Sequence, residues 1–341
     1  MKRVLAGMLM AILIAVSLAG CGGKYSEEEN DRASSENILI SETGEKLEKP
    51  KEEPDFSESN MVEENDQPAE PVPAPNINFD IPVQEQVITE EDQMESRGNV
   101  LQLVFLGDSI FDNNRDGTGI PYLTAMQCDA DVFNLAIGGT SASIETGESA
   151  ELEKWTSTGF CGVVNAMRQK ISTGIFEGTR TKELLDNSKI DFSQTDYFIV
   201  EYGTNDFFRA VRQSSEDGFD LNTYAGALRY GIANLKELAP DATIILCSPC
   251  YAQFFNDGYM VGDGNVTNPG NGTLFDYKGT CNYIAKEMQV EFFNAYQDLG
   301  IDGYTAEEYL EDGVHLTEAG RQIYADALAH KILVIEETKN N

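Results

Sequence analysis

Histidine is scarce in this chain, with only His315 and His330 among 341 residues. Transition-metal sites draw mostly on imidazole and thiolate, so with so little of the first only a cysteine-rich site would be left. The six cysteines do not supply one. Cys247 and Cys250 form a C-x-x-C at the end of an apolar run, but no second C-x-x-C and no neighbouring His completes a four-ligand set. Structural thiols are the plainer reading. Apart from Cys21, five remain (Cys128, Cys161, Cys247, Cys250 and Cys281), an odd number that cannot all pair within one chain, and a Cys250–Cys281 bridge stays open. Basic residues are also few, 24 Lys and Arg against 58 Asp and Glu, for a formal net charge of −34. That excludes the positive surface on which nucleic acid binding depends. Acidic residues are plentiful, yet the alternation Asp263, Asn265, Thr267 lacks the downstream Glu that completes a calcium loop, so no metal site is expected. The lone tryptophan, Trp155, leaves two readings open: a platform for a sugar ring, or a partly buried loop anchor.

Proline is unevenly spread. Seven of the eleven lie between residues 22 and 98, a stretch with three aromatics and 22 acidic against 6 basic residues. Such a segment cannot bury enough apolar surface to offset its ordering entropy, and it reads as a disordered acidic tether over 21–98. At roughly 75 residues its reach as a flexible coil is about 50 Å. Before it, Lys2 and Arg3 precede an apolar run from Val4 to Ser17, closed by Leu18-Ala19-Gly20-Cys21. This is the pattern of an export signal, residues 1–20, ending in a lipoprotein cleavage box. The run is too short to span a bilayer comfortably. Cys21 is therefore expected to become the first residue and to carry a lipid, so that the chain meets the membrane only through that anchor, at the extracellular face. Residues 99–341 then form one domain with a formal charge near −20.

Within that domain five short apolar runs stand out: Leu101–Leu106, Val132–Ile137, Tyr197–Tyr202, Ala242–Cys247 and Val290–Phe293. They read as strands buried on both faces. Amphipathic stretches at Tyr224–Leu238, Gly279–Met288 and Glu318–Val334 read as helices, with a further one at Gly162–Ser172 inside the long connection from Ser141 to Asp196. Strands alternating with helices imply an α/β fold with a mostly parallel five-stranded sheet, covered on both sides, with its ligand at the carboxyl ends of the strands. The segment Asn256–Asn271 is rich in Gly, Asn and Asp, and Asn268-Pro269-Gly270-Asn271-Gly272 signals the turn of a protruding hairpin.

The polar segments fall where such a sheet places its site. Gly107-Asp108-Ser109 follows the first strand, Gly138-Gly139-Thr140 the second and Gly203-Thr204-Asn205-Asp206 the third, while Asp312-Gly313-Val314-His315 precedes the last helix. A serine hydroxyl is a weak nucleophile at neutral pH and needs a base, for which imidazole is suited. His330 lies within the terminal helix. His315 stands on a loop three residues after Asp312, a spacing that lets the carboxylate reach Nδ1 and leaves Nε2 for Ser109. The tetrahedral intermediate also needs donors for its oxyanion, and the Ser109 and Gly139 N–H groups with the Asn205 amide would supply them. Asp108 and Asp206 read as loop-holding carboxylates, and Glu201, in a strand ending at the site, either as a buried acid with a shifted pKa or, more commonly, as a hydrogen-bonded structural carboxylate. Asp112, Asn113, Asn114 and Arg115 either line the pocket or form a polar loop.

Taken together, these blocks resemble the SGNH or GDSL hydrolase family. Its four blocks contribute Ser, Gly, Asn and His, matched here by Ser109, Gly139, Asn205 and His315 with Asp312. The second block usually reads Asn-x-Gly-x-x-Gly. Here Ala136 replaces its first glycine and Gly139 keeps the second. The resemblance covers 99–335 and implies a flavodoxin-like three-layer α/β/α sandwich, no cofactor, and hydrolysis of an ester through an acyl-enzyme on Ser109. External tethering and polar loops direct the expectation to O-deacetylation of a carbohydrate, either plant polysaccharide or envelope glycan. An acyltransferase, a short-chain esterase and a non-catalytic binding lipoprotein are the alternatives.

Overall fold

The computed structural model describes residues 100–339. The expected export signal, lipid attachment at Cys21 and acidic tether fall outside the described residues. In chain order the elements begin with β1 (Leu101–Gly107), α1 (Ser109–Asp112), α2 (Ile120–Cys128), β2 (Ala130–Asn134), α3 (Phe160–Met167), α4 (Arg180–Leu185), β3 (Tyr197–Glu201) and α5 (Thr204–Phe208). They continue with α6 (Tyr224–Leu238), β4 (Thr243–Cys247), β5 (Gln253–Asn256), β6 (Tyr259–Asp263), α7 (Leu274–Glu287), β7 (Glu291–Phe293), α8 (Ala295–Asp298), α9 (Ala306–Tyr309) and α10 (Glu318–Lys339).

Five strands pair in parallel in the order β2-β1-β3-β4-β7. The chain runs outward from β1 to β2, then returns past β1 to β3, so helices cover both faces: α2 packs with α10 on one side, and α3 with α6 and α7 on the other. This is the expected flavodoxin-like three-layer sandwich. The reversal between β1 and β3 opens a crevice at their carboxyl ends. Ser109 follows one of these strands and Asn205 the other.

The central strands explain the cohesion of the sandwich. Every residue of β3 is buried, as are Gln102 to Gly107 in β1 and Ile244 to Cys247 in β4. Each fully buried Val, Leu, Ile or Phe there contributes about 1.5–3 kcal/mol relative to exposure. The edges depart from the two-sided burial expected of them. β2 is half-buried at all five positions, and in β7 only Phe293 is buried, because an edge strand lacks a neighbour on one side. The second apolar run also stops pairing as a strand at Asn134, although Leu135 and Ile137 still donate to the β1 carbonyls of Phe105 and Gly107.

α6 has the predicted bounds, with Thr223 capping it by accepting from Gly226 N–H. α7 begins five residues earlier than expected because Thr273 and Asp276 form a capping box. α10 runs past Val334 to Lys339. There the Tyr197 hydroxyl donates to Glu336, and Lys339 lies 2.8 Å from the same carboxylate. The hairpin exists, but its turn is Asp257-Gly258 between β5 and β6 and not the Asn268–Gly272 segment. Both turn residues have positive φ, 51° and 81°, as a two-residue hairpin turn demands. Asn268 instead folds its own loop by accepting from Gly270 and Gly272 N–H.

All five cysteines of the described region are free and buried, so no Cys250–Cys281 bridge forms. The Cys281 thiol donates instead to the Cys247 carbonyl at 3.5 Å. Trp155 is 6% exposed, packs near Tyr230 and donates its indole N–H to the Ser149 carbonyl. It is a buried loop anchor. His330 is exposed on α10. Among the described residues no helix is long and apolar enough to cross a membrane, and no group of three or more His, Cys, Asp or Glu is placed to hold a metal ion.

Candidate active site

β1 ends at Gly107, where a Cβ would lie 2.8 Å from the Phe111 ring and 3.0 Å from the Glu201 carbonyl. Glycine there lets Phe111 fold back beneath the turn. Asp108 then caps α1, its Oδ1 accepting from Ile110 N–H at 3.0 Å. The next residue, Ser109, is half-buried at the rim of the crevice.

The second component is 206 residues away in sequence. Leu310 and Leu316 pair in an isolated antiparallel bridge, and Glu311 N–H donates to the His315 carbonyl, closing a short loop between α9 and α10. Inside it, Asp312 Oδ1 accepts from the N–H groups of Val314 and His315 at 3.0 and 2.8 Å. This leaves Oδ2 for His315 Nδ1, at 2.7 Å. The other ring nitrogen, Nε2, stands 2.9 Å from Ser109 Oγ. Gly313 has φ of 91°, and its Cα faces the Gln253 carbonyl so closely that only glycine fits.

The electrostatics follow from these contacts. The hydrogen bond from His315, aided by two backbone N–H donors, holds the Asp312 carboxyl well below the usual carboxylate range. Reciprocally, the Asp312 hydrogen bond raises His315, against the opposing effect of its burial. A carboxylate that remains ionised fixes Nδ1 as the protonated nitrogen, so Nε2 presents a lone pair to the serine hydroxyl.

Gly138 and Gly139 adjoin the nucleophile: a Cβ on Gly138 would sit 3.7 Å from Ser109 Cβ. Gly139 is exposed with φ of 77°. Among the described residues, no hydrogen bond occupies the backbone N–H of Ser109 or of Gly139. Asn205 enters from α5, which is preceded by Gly203, a position with φ of 134° where a Cβ would meet the Tyr224 hydroxyl at 2.7 Å. Its amide donates to Asp108 Oδ2 at 3.0 Å and to the Thr140 carbonyl at 2.9 Å. Both amide hydrogens are thus engaged, and an oxyanion would be served by sharing or exchanging one of these bonds. Asp206, fully buried, accepts from the N–H groups of Ala142 and Ser143 and so pins the loop after Gly139.

Two arginines play parts that the sequence left open or unmarked. Arg115 donates to Asp112 and to the carbonyls of Asn134 and Ala136, while the other Asp112 oxygen accepts from Gly138 N–H at 2.7 Å. Asp112 and Arg115 therefore fasten the nucleophile turn to the Gly138–Gly139 turn. Arg209 donates to the Gly139 carbonyl at 3.0 Å and pairs with Glu145. No local pattern marked it, because its partners lie more than sixty residues away. Asn114 and Arg115 also border a cavity of about 320 Å³ shared with Tyr122, Asn134 and Arg180, and neither Ser109 nor His315 lines it.

The model of the GDSL-like lipase/acylhydrolase family matches residues 105–323, well over half of the chain. The chain belongs to that family. It is a serine esterase of the GDSL type, a class whose reaction is ester hydrolysis. No match was found among curated proteins. One solved structure, 21% identical, covers 69% of this chain and 97% of its own at a TM-score of 0.51, which supports the fold. A protein from Lactobacillus plantarum is 20% identical over 68% of this chain and 96% of its own, at a TM-score of 0.49. A possible lipase from Chitinophaga pinensis is 16% identical over 69% and 99%, also at 0.49.

Proposed function

We propose that Ser109 is the nucleophile of this esterase and that its substrate is an O-acetylated carbohydrate met at the outer face of the cell, where the lipid on Cys21 would hold the enzyme. The observation that carries the reading is the unbroken relay from Ser109 Oγ through both ring nitrogens of His315 to Asp312, with links of 2.9 and 2.7 Å. Ser109 attacks the acyl carbonyl while Nε2 takes its proton. The Ser109 and Gly139 N–H groups and the Asn205 amide receive the oxyanion, and the protonated imidazole returns its proton to the departing sugar hydroxyl. Water, deprotonated by the same nitrogen, then releases acetate and restores the serine.

Charge and surroundings support the carbohydrate. A domain with formal charge near −20 repels anionic lipid surfaces and polyanions, whereas a neutral acetylated sugar meets no such barrier, and the acetate product is driven away. Part of the rim of the site is polar, with Asn113, Gly138, Gly139 and Arg209 all at least partly exposed. Purified protein should release acetate from acetylated xylan or acetylated peptidoglycan, and Ser109→Ala should lower that rate by several orders of magnitude. Cleavage of long-chain esters with no acetate from either glycan would refute the substrate assignment. Product formed only with a sugar acceptor present would instead point to acyl transfer.

A further inference from the structure

Beneath the nucleophile lies a carboxyl group that the relay does not use. Glu201 ends β3, in register with Gly107 of β1 and Cys247 of β4, and is 0% exposed. No N–H or O–H of the described residues reaches either of its oxygens. Its side chain faces that of Asp108, which is 1% exposed and already accepts from Ile110 N–H and the Asn205 amide. Among the described residues no cation is paired with Glu201. Besides Asp108, the titratable groups around it are Asp206 on α5, Tyr202 after β3, Tyr224 on α6, Cys247 and Cys250 at the end of β4, Cys281 on α7 and Tyr324 on α10. Burial keeps those tyrosines and thiols protonated and neutral. Burial and then the charge of Asp108 push Glu201 far above the usual carboxylate range, whereas burial pushes Asp108 up only to about 6, because the Ile110 N–H and the contact with Glu201 oppose it.

Two ionised carboxylates offer only lone pairs to each other, and both of these are buried from bulk solvent. A single proton resolves the contact, as it does in any buried carboxyl pair. Asp108 is the member with outside donors, so the proton belongs on Glu201. We infer that Glu201 is held protonated, donates to Asp108, and acts through it as a positioning residue for the Asn205 amide at the oxyanion site. The pair then carries one negative charge, and Asp108 is fixed as the acceptor that aims Asn205. Loss of the proton at high pH places a second charge beneath the developing oxyanion and opposes catalysis.

The inference rests on Ser109 and Asn205 acting as proposed, and its test separates the two. In wild-type protein carrying ¹³C at the glutamate carboxyls, one resonance should keep the shift of a protonated acid at neutral pH and vanish in Glu201→Gln. Only ionised shifts would overturn the inference, whatever the activity. With nitrophenyl acetate, Glu201→Gln keeps a donor that does not titrate. Its kcat should stay within about threefold of wild type, and its loss of activity at high pH should disappear. Glu201→Met fills the space without a donor. Its Tm should not fall, since an apolar group replaces a buried acid, yet its kcat should drop about tenfold or more with KM unchanged. A Met variant as fast as wild type, or a Gln variant with the wild-type high-pH fall, would overturn the positioning role. Should the Met variant not fold, the Gln profile and the carboxyl resonance decide. An inactive wild type with the protonated resonance present would refute the proposed function and leave the proton in place.

Discussion

Replacing Gly313 by alanine tests whether the base is held by its loop or merely located there. The Cβ would lie 2.3 Å from the Gln253 carbonyl oxygen and 2.9 Å from the Phe255 ring, about 1 Å short of ordinary contact at the first. The Gln253 atom cannot simply yield, since it belongs to β5, and the adjacent Phe254 is stacked on Phe207 at 5.5 Å. The loop must retreat instead, and it carries His315 two residues on. A shift of about 1 Å would stretch the 2.9 Å link to Ser109 beyond hydrogen-bond range. Displacements of that size cost about a hundredfold in rate. The positive φ adds about 1 kcal/mol of strain. The comparison is Gly258→Ala in the hairpin turn, where φ is 81° but no atom lies within 4 Å, so strain acts without collision. With nitrophenyl acetate, Gly313→Ala should lose about 30- to 100-fold in kcat with little change in KM, and Gly258→Ala should keep its kcat. Both should melt earlier. Equal kcat in the two variants would show that the contact with Gln253 does not position the base.

Because neutral imidazole is the base and Asp312 raises His315 above 6.5, kcat/KM should climb with pH along a limb centred above that value. Asp312→Asn removes the raising contact, so the limb should move to lower pH while the rate falls by about two to four orders of magnitude; an unmoved limb would assign it to another group. Trp155→Ala should cost about 3–5 kcal/mol of stability by denaturant titration with no change in KM for acetylated xylan, whereas a raised KM at intact stability would restore the sugar-platform reading. Arg115→Ala removes the fastening between the nucleophile and Gly138 turns, and kcat should fall about tenfold, far less than for Ser109→Ala. A rate equal to wild type would show that Asp112 holds Gly138 unaided.

What could be read in the sequence was whatever depends on a local pattern. Buried strands announce themselves as apolar runs, and α6 is bounded by a capping threonine and a proline after its end, so these elements were legible. The grouping of Ser109, Asp312 and His315 was legible because strand ends converge in an open parallel sheet and because an i, i+3 Asp–His spacing closes on itself. Features fixed by distant contacts were not. The extension of α10 depends on Tyr197, 139 residues from Glu336. The hold of Arg209 on Gly139 spans 70 residues. The hairpin turn was misplaced because two glycine-rich segments lie close together, and only strand pairing shows that Asp257-Gly258 is the one that reverses the chain. The full commitment of the Asn205 amide was invisible for a different reason: sequence names a donor but not which acceptors it already has.

The β5–β6 ribbon is fastened at its root and free at its crown. Gln253 is bonded to the His315 loop and Phe254 is wedged against α5, while Phe255, Tyr259, Met260 and Val261 reach outward into solvent. Mechanical support and outward display thus reside in different residues of one excursion. Foreign peptide spliced at Asp257-Gly258 would extend the crown and leave the root, and with it the loop that carries the base, as it is.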